Sequence, residues 1–375
     1  MSTTGRSDGS APVASDIAAR LREADLVRLV AGATGDAVAA TAVLATALEA
    51  DAVAHQCSVV PVPESARRAT DADLTVGVGR HAADADITLG TDREPASSTA
   101  FAVATELGAV DYELALAGIT AAGVSPKSDT LAAANAAGIE RRPGVAIPTG
   151  DIADGLAHAT LVHASFSGDT EATEAALEDI DAEDEDEEMR RQVASMVAFA
   201  VCGDEATAPR GAEAVERFLR PLVAPGGRFE TVEGYGNVLD ATAREQPGRA
   251  VPLALGAVDP DQALDLWRTH GQRAHEAIRS ASTGRYDGLY VVRCDGAVGT
   301  VARLVAAYRS PEPVVLALDD DEAVAVSVDE TGPLGSQMET AASRVDGRGG
   351  GTETTGRARF DCDPTAFVAA FREGQ

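Results

Sequence analysis

The chain has 375 residues, 60 acidic and 31 basic, for a formal net charge of −29, and only 4% of them are aromatic. It contains no run of about 18 uninterrupted apolar residues, so no membrane-spanning helix is expected. So acidic a chain also lacks the long-range attraction that usually draws a protein to nucleic acid. Acidity spread along the whole chain suits a cytosol of molar salt, where hydrated carboxylates keep a surface soluble. The rival reading is an acidic surface that imitates nucleic acid. At about 1 M salt the Debye length is only ~3 Å, so the charge alone does not exclude contact with DNA. Lys127 is the only lysine, and arginine supplies the remaining positive charge.

Residues 1–19 are small and polar and are expected to form a disordered tail, without the charged-then-apolar order of a secretory signal. Leu26–Val30 reads as a short apolar strand. It leads through Gly32, Thr34, Gly35 and Asp36 into a helix with Val38, Ala42, Ala45 and Leu48 on its apolar face. Thr34 or Asp36 is suited to cap that helix. From 20 to 145, strand-like runs alternate with Ala-rich helical ones, which predicts a parallel α/β domain.

A Pro/Gly-rich connection, 141–150, leads into a helical middle region, 146–282. Its acidic run Glu178–Glu188 is expected to be a solvated linker or a helix N-terminus, with a partner-binding patch as the alternative. Met189–Ala200 and Ala212–Leu222 read as amphipathic helices, and Pro225 to Gly227 as a break. Glu233–Arg244 is a helix with Val238, Leu239 and Ala243 inward. Its Asn237 and Arg244 are candidates for a phosphate contact or simply for the helix surface. A helix from 260 to 282 carries His270 and His275, which are five apart and on different faces. They are expected at the surface and not as a metal pair.

From 283 to 375 the runs Gly288–Arg293, Gly299–Tyr308, Pro313–Leu318 and Ala323–Val328 read as strand, helix, strand, strand. Cys57, Cys202, Cys294 and Cys362 have no metal-site spacing. They are expected to be small buried hydrophobes in a reduced cytoplasm.

Residues 30–44 resemble motif I of the DHH phosphoesterase superfamily, in its archaeal RecJ-like (haloarchaeal) branch, where the pattern is His-x-Asp-x-Asp-Gly-x-x-Ala-x-Ala-x-Leu. Gly32 stands at the His, Thr34 at the first Asp and Asp36 at the second, while Ala37, Ala40, Ala42 and Leu44 keep the packing positions. Asp73–Gly79 resembles the motif II strand, with Arg80 and His81 near the place of the Asp-His-His signature. Leu89–Phe101 resembles the loop and helix that follow in archaeal members. Leu116–Val124 resembles motif IV, with Val124 at the metal-binding end. Ser165–Gly168 and Glu233–Arg244 resemble segments beyond the catalytic domain. Ala341–Gly356 resembles the DHHA1 domain, marked by Gly-Gly-Gly-His-x-x-Ala-Ala-Gly. Gly349, Gly350, Gly351 and Gly356 are kept, with Thr352 at the His and Thr354-Thr355 at the small pair.

The resemblance implies an α/β fold: a parallel-sheet DHH domain, a helical middle region and a smaller C-terminal α/β DHHA1 domain, divided at 20–145, 146–282 and 283–375. It also implies a nucleic-acid-binding set of Arg344, Arg348, Gly349, Gly350, Gly351 and Thr352. The family activity is a manganese- or magnesium-dependent 5′–3′ single-strand exonuclease. One carboxylate cannot hold two divalent ions, each of which needs several hard oxygen ligands. The losses therefore imply no catalytic residue beyond the remnant Asp36, no metal and no cofactor. The function implied is an inactive scaffold of the DNA replication machinery, associated with the GINS complex and the MCM helicase and guiding single-stranded DNA. One alternative is an exonuclease with a site rearranged from Asp36, Asp73, Asp84, Asp86 and Asp92. Another is a nucleic-acid-end binding protein without replisome partners. Carboxylates that do not converge within about 6 Å cannot serve a two-metal site with ions ~3.5–4 Å apart.

Overall fold

The computed structural model describes residues 13–60, 71–79, 85–91, 94–180, 187–328 and 332–374. Arg80, His81, Asp84 and Asp92 lie outside them, as does most of the acidic run. Helix α1 (Ala14–Glu23) corrects the tail expected through residue 19. Ile17, Ala18 and Leu21, spaced i, i+1 and i+4, make one apolar face and are buried.

Four parallel strands follow: β1 (Leu26–Gly32), β2 (Ala54–Val60), β3 (Leu74–Val78) and β4 (Ile87–Leu89), in the order β2-β1-β3-β4. Helices α2 (Gly35–Ala50), α3 (Ala96–Leu107), α4 (Tyr112–Ala121) and α5 (Ser128–Ala136) accompany them. α2 is buried on nearly every face, which its Ala-rich sequence allows. Small residues let the helices touch. A Cβ on Gly118 of α4 would lie 1.9 Å from Ser97 Oγ and 2.6 Å from Ala39 Cβ.

The middle of the chain holds β5 (Glu140–Arg141), α6 (Ile152–His158), α7 (Thr170–Leu177), α8 (Glu187–Cys202), α9 (Gly211–Glu216), β6 (Leu222–Val223), α10 (Val232–Glu245), α11 (Pro247–Ala254) and α12 (Pro260–Ser280). The helix expected over 212–222 stops at Glu216. Leu219 instead bridges to Val145, Arg220 takes a left-handed φ of 54°, and β6 pairs with β5. Pro221 lacks the N–H a continued helix needs, and the non-local pairing takes over.

The last unit contains β7 (Ser282–Tyr286), β8 (Leu289–Arg293), α13 (Val298–Tyr308), β9 (Val314–Leu318), β10 (Glu322–Ser327), α14 (Leu334–Ser343), β11 (Arg348–Gly351), β12 (Thr355–Arg359) and α15 (Pro364–Arg372). Its sheet runs β11-β12-β10-β9-β8-β7, with β8 and β9 parallel and the other pairs antiparallel. α14 and α15 cover one face, and α13 covers the other, toward α12. The four cysteines are not core residues, because Cys202 is exposed and the other three are only half-buried.

His270 and His275 are not surface residues either: they are 1% and 0% exposed. α12 packs against α6 and α10 on one side and α13 on the other, which covers both histidines. His270 Nδ1 lies 2.8 Å from Glu245 Oε1 and its Nε2 2.9 Å from Thr300 Oγ1, which joins α10, α12 and α13. Among the described residues no helix is long and apolar enough to cross a membrane.

Candidate functional site

In an open parallel sheet, ligands bind beyond the carboxyl ends of the strands. The β1–α2 loop lies there. Thr34 caps α2, its Oγ1 accepting from Ala37 N–H at 3.3 Å. Asp36 does not cap its own helix. Its Oδ2 accepts from Ala96 N–H at 2.9 Å and its Oδ1 from Ser97 N–H at 2.8 Å, so it caps α3, whose own preceding residue is Pro95. Ser97 Oγ donates to the Asp36 carbonyl at 2.9 Å and locks the arrangement. Burial pushes the Asp36 carboxyl above its usual range, against the hydrogen bonds from Ser97 and Ala96 that lower it. Replacing Asp36 by Ala is expected to cost about 1–3 kcal/mol, since two N–H groups at the start of α3 lose their acceptor. Asp36→Asn, which keeps an acceptor, is expected to cost less, and thermal unfolding of the two variants checks the order.

The other described carboxylates lie elsewhere. Asp73 Oδ2 accepts from Leu26 N–H at 2.9 Å, at the amino end of β1. Asp86 Oδ2 accepts from Thr75 N–H at 2.8 Å, at the amino end of β3. The length of β1, six steps of about 3.3 Å or roughly 20 Å, separates that end from Asp36. Asp36, Asp73 and Asp86 therefore cannot share an ion. Among the described residues no group of three or more His, Cys, Asp or Glu is arranged to hold one. These residues do not fit a manganese or magnesium pair.

What faces the loop instead is α10. Gly35 N–H donates to Asp240 Oδ1 at 3.0 Å, and a Cβ on Gly35 would lie 3.0 Å from both Asp240 N and Gly236 O. Asp240 thus supplies the negative charge at the start of α2. Arg244 grips it with both donors, Nε to Oδ2 at 2.9 Å and Nη2 to Oδ1 at 3.2 Å. Arg303 of α13 places Nη2 3.2 Å from Oδ2. Burial alone would raise the Asp240 pKa, but the Arg244 and Arg303 charges overcome it and hold the carboxyl far below its usual range. Sequence reasoning missed Asp240 altogether. The only trace was Arg244 four residues later, an i, i+4 partner. Arg244 is committed to this pair. Asn237, also named as a phosphate candidate, is 1% exposed and accepts from Trp267 Nε1 at 2.8 Å while donating to Thr160 Oγ1 at 2.7 Å.

The C-terminal candidates are spread apart. Arg348, Gly349, Gly350 and Gly351 form β11 itself, not a free loop. A Cβ on Gly349 would lie 2.6 Å from Met338 O, and one on Gly356 would lie 2.3 Å from Met338 Cγ, so these glycines let α14 press onto the sheet edge. Thr352 sits at the start of α14, its carbonyl accepting from Gly335 N–H at 2.7 Å. Arg344 sits at the other end, about 14 Å away along nine helical residues. There Nη1 donates to Ala370 O at 3.1 Å and pairs with Glu373 at 3.3 Å. Arg344 therefore does not flank Thr352 as the motif suggests.

A protein of Haloarcula marismortui described as uncharacterized protein rrnAC1427 is 50% identical over 380 residues, covering all of both chains. The chain belongs to the rrnAC1427 family. The family model for the rrnAC1427 C-terminal domain matches residues 281–373, which span the second sheet. Among solved structures, CDC45 from Entamoeba histolytica superposes with a TM-score of 0.62 at 11% identity, covering 96% of this chain and 98% of that one. An exonuclease RecJ bound to manganese gives 0.52 at 15% identity, covering 99% and 95%. The fold of this rrnAC1427-family chain is accordingly that of RecJ and CDC45.

Proposed function

We propose that this rrnAC1427-family protein is a non-catalytic RecJ-like scaffold of the DNA replication machinery in a salt-rich cytoplasm. It associates with the GINS complex and the MCM helicase and holds single-stranded DNA without cutting it. One observation carries the reading. Where a RecJ-type site would need converging carboxylates, Asp36 is spent on the start of α3 and Asp240 is neutralised by two arginines. The full-length likeness to CDC45, beside the manganese-bound RecJ, supports a scaffold built on the nuclease frame. DNA contact would run along the exposed β11 edge at Arg348 and Thr352, with Gly350 and Gly351 beside them. The test is incubation of the purified protein with 5′-labelled single-stranded DNA and manganese in molar KCl, together with co-purification of recombinant GINS and MCM subunits. Intact DNA and a stable GINS or MCM complex are expected. Processive degradation that Asp36→Ala abolishes would establish the exonuclease instead. Binding of DNA ends without either complex would leave the end-binding protein.

A further inference from the structure

A cleft of about 490 Å³ opens between the end of α4, α9 and α13, and nothing above uses it. That volume suits a small ligand or a few residues of a peptide. One wall is apolar: Val124, Phe218, Leu304 and Ala307 line it, and Val124 is 43% exposed at the mouth. Arg141, Arg217, Arg220 and Arg303 also line it, with Arg141 Nη1 already donating to the Arg220 carbonyl at 2.8 Å and lying 3.6 Å from Glu233. The Arg303 side chain is 29% exposed, yet its Nε and Nη2 are buried without a hydrogen bond, since the approach to Asp240 is an ion pair without hydrogen-bond geometry. The third guanidinium nitrogen, Nη1, is the accessible one, and it meets the cleft without a hydrogen-bond partner among the described residues.

The remaining lining charges narrow the class of ligand. Glu213, Glu216 and Glu233 share the walls with the arginines. A chain of phosphates would set its second and third charges against them. A single carboxylate on an aliphatic body would not. Arginine forks match a carboxylate with two parallel hydrogen bonds, and the apolar wall would take the body.

We propose that this cleft binds an aliphatic carboxylate, presented as the carboxyl terminus of a partner polypeptide ending in an apolar residue. The site goes beyond the scaffold reading and needs no bound nucleic acid. A nuclease result therefore leaves it standing, and its loss leaves the nuclease result unchanged.

The test is equilibrium binding in molar KCl of the peptide acetyl-Ala-Val-Leu with a free carboxylate, beside the same peptide as its amide, 4-methylpentanoate and a 5′-phosphorylated oligodeoxynucleotide. The acid is expected to bind saturably and the amide about tenfold more weakly or worse, a loss of ~1.4 kcal/mol. Val124→Glu, which sets a carboxylate at the exposed mouth, is expected to abolish binding without moving the thermal midpoint. Arg217→Gln is expected to weaken it. Equal binding of 4-methylpentanoate would support the same chemistry with a free acid as its source. The proposal is overturned if the amide binds as well as the acid, if neither binds, or if the oligonucleotide displaces the peptide.

Discussion

Replacing Asp240 by Ala is expected to lower the unfolding free energy by about 3 kcal/mol, the low end of the cost of removing one partner from a buried ion pair. The low end applies because the Arg244 and Arg303 side chains keep 22% and 29% of their surface exposed, while Asp240 keeps 3%. Without the carboxylate, two guanidinium groups face each other across the junction of α10 and α13, and Gly35 N–H loses its acceptor. Asp240→Asn keeps that acceptor but not the charge, and should fall between wild type and Ala. The effect also depends on pH. The folded carboxyl is held below its unfolded value, so its contribution is complete above about pH 4 and is lost as pH falls below that. The Ala variant should therefore show a shallower acid limb. Denaturant unfolding followed through the one tryptophan, the buried Trp267, measures both effects. A loss below about 1 kcal/mol would mean that water, not Asp240, satisfies the arginines.

As pH drops from 6.5 toward 4.5, a buried histidine pair should withdraw stability. His163 and His275 stack with Nδ1 atoms 3.0 Å apart, and His275 Nε2 lies 3.0 Å from the Ala159 carbonyl. A carbonyl only accepts, so Nε2 of His275 carries the hydrogen. Its Nδ1 then accepts from the Nδ1–H of His163. A further proton on His275 would set two N–H groups against each other, and one on His163 would place a charge in the core. Burial, reinforced by nearby positive groups, holds both imidazoles well below their ordinary range. Below about pH 6.5 the unfolded chain takes up two protons that the folded chain refuses, at about 1.4 kcal/mol per pH unit each.

Glu233 works the other way. Burial raises its carboxyl to about 7, so its contribution is complete below the unfolded value and is lost as pH rises through 7. The raised Asp36 and Glu113 carboxyls act in the same sense as Glu233, so together they offset part of the histidine slope. His163→Gln, which keeps a donor for His275, should remove about 1.4 kcal/mol per pH unit of the histidine contribution while leaving the carboxyls unchanged. An unaltered slope between pH 6.5 and 4.5 would refute the assignment.

Patterns with a short period read correctly from the chain. The run Leu26–Val30, the Ala-rich helix after it and the strand–helix–strand succession from Leu289 to Leu318 all appear where the spacing of apolar residues put them. Readings that rested on one residue's own helix fared worse. His270 and His275 look like surface residues because α12 carries polar groups on several faces, and only packing from both sides buries them. Asp36 looks like a cap for α2 but caps α3, sixty residues later. The triple glycine matches a phosphate-binding pattern and serves as a packing surface for α14. For Asp36 and the histidines the partner that decides the role comes from a distant part of the chain, and for the glycines it is the helix just before them.

The sequence by itself determined the two α/β units, the helices between them and the thinning of the motif I carboxylates, because hydrophobic period and residue identity are local properties. Only the tertiary structure decided where charge goes. It sent Asp73 and Asp86 to the amino ends of the strands, turned Asp36 onto the start of α3, and brought Asp240 under Gly35 between Arg244 and Arg303. The physical reason is that a carboxylate drawn into the interior, as Asp240 is, must find donors or counter-charges wherever the fold offers them, while exposed ones such as Asp73 and Asp86 need none. Which donors are within reach depends on how elements two hundred residues apart come to pack.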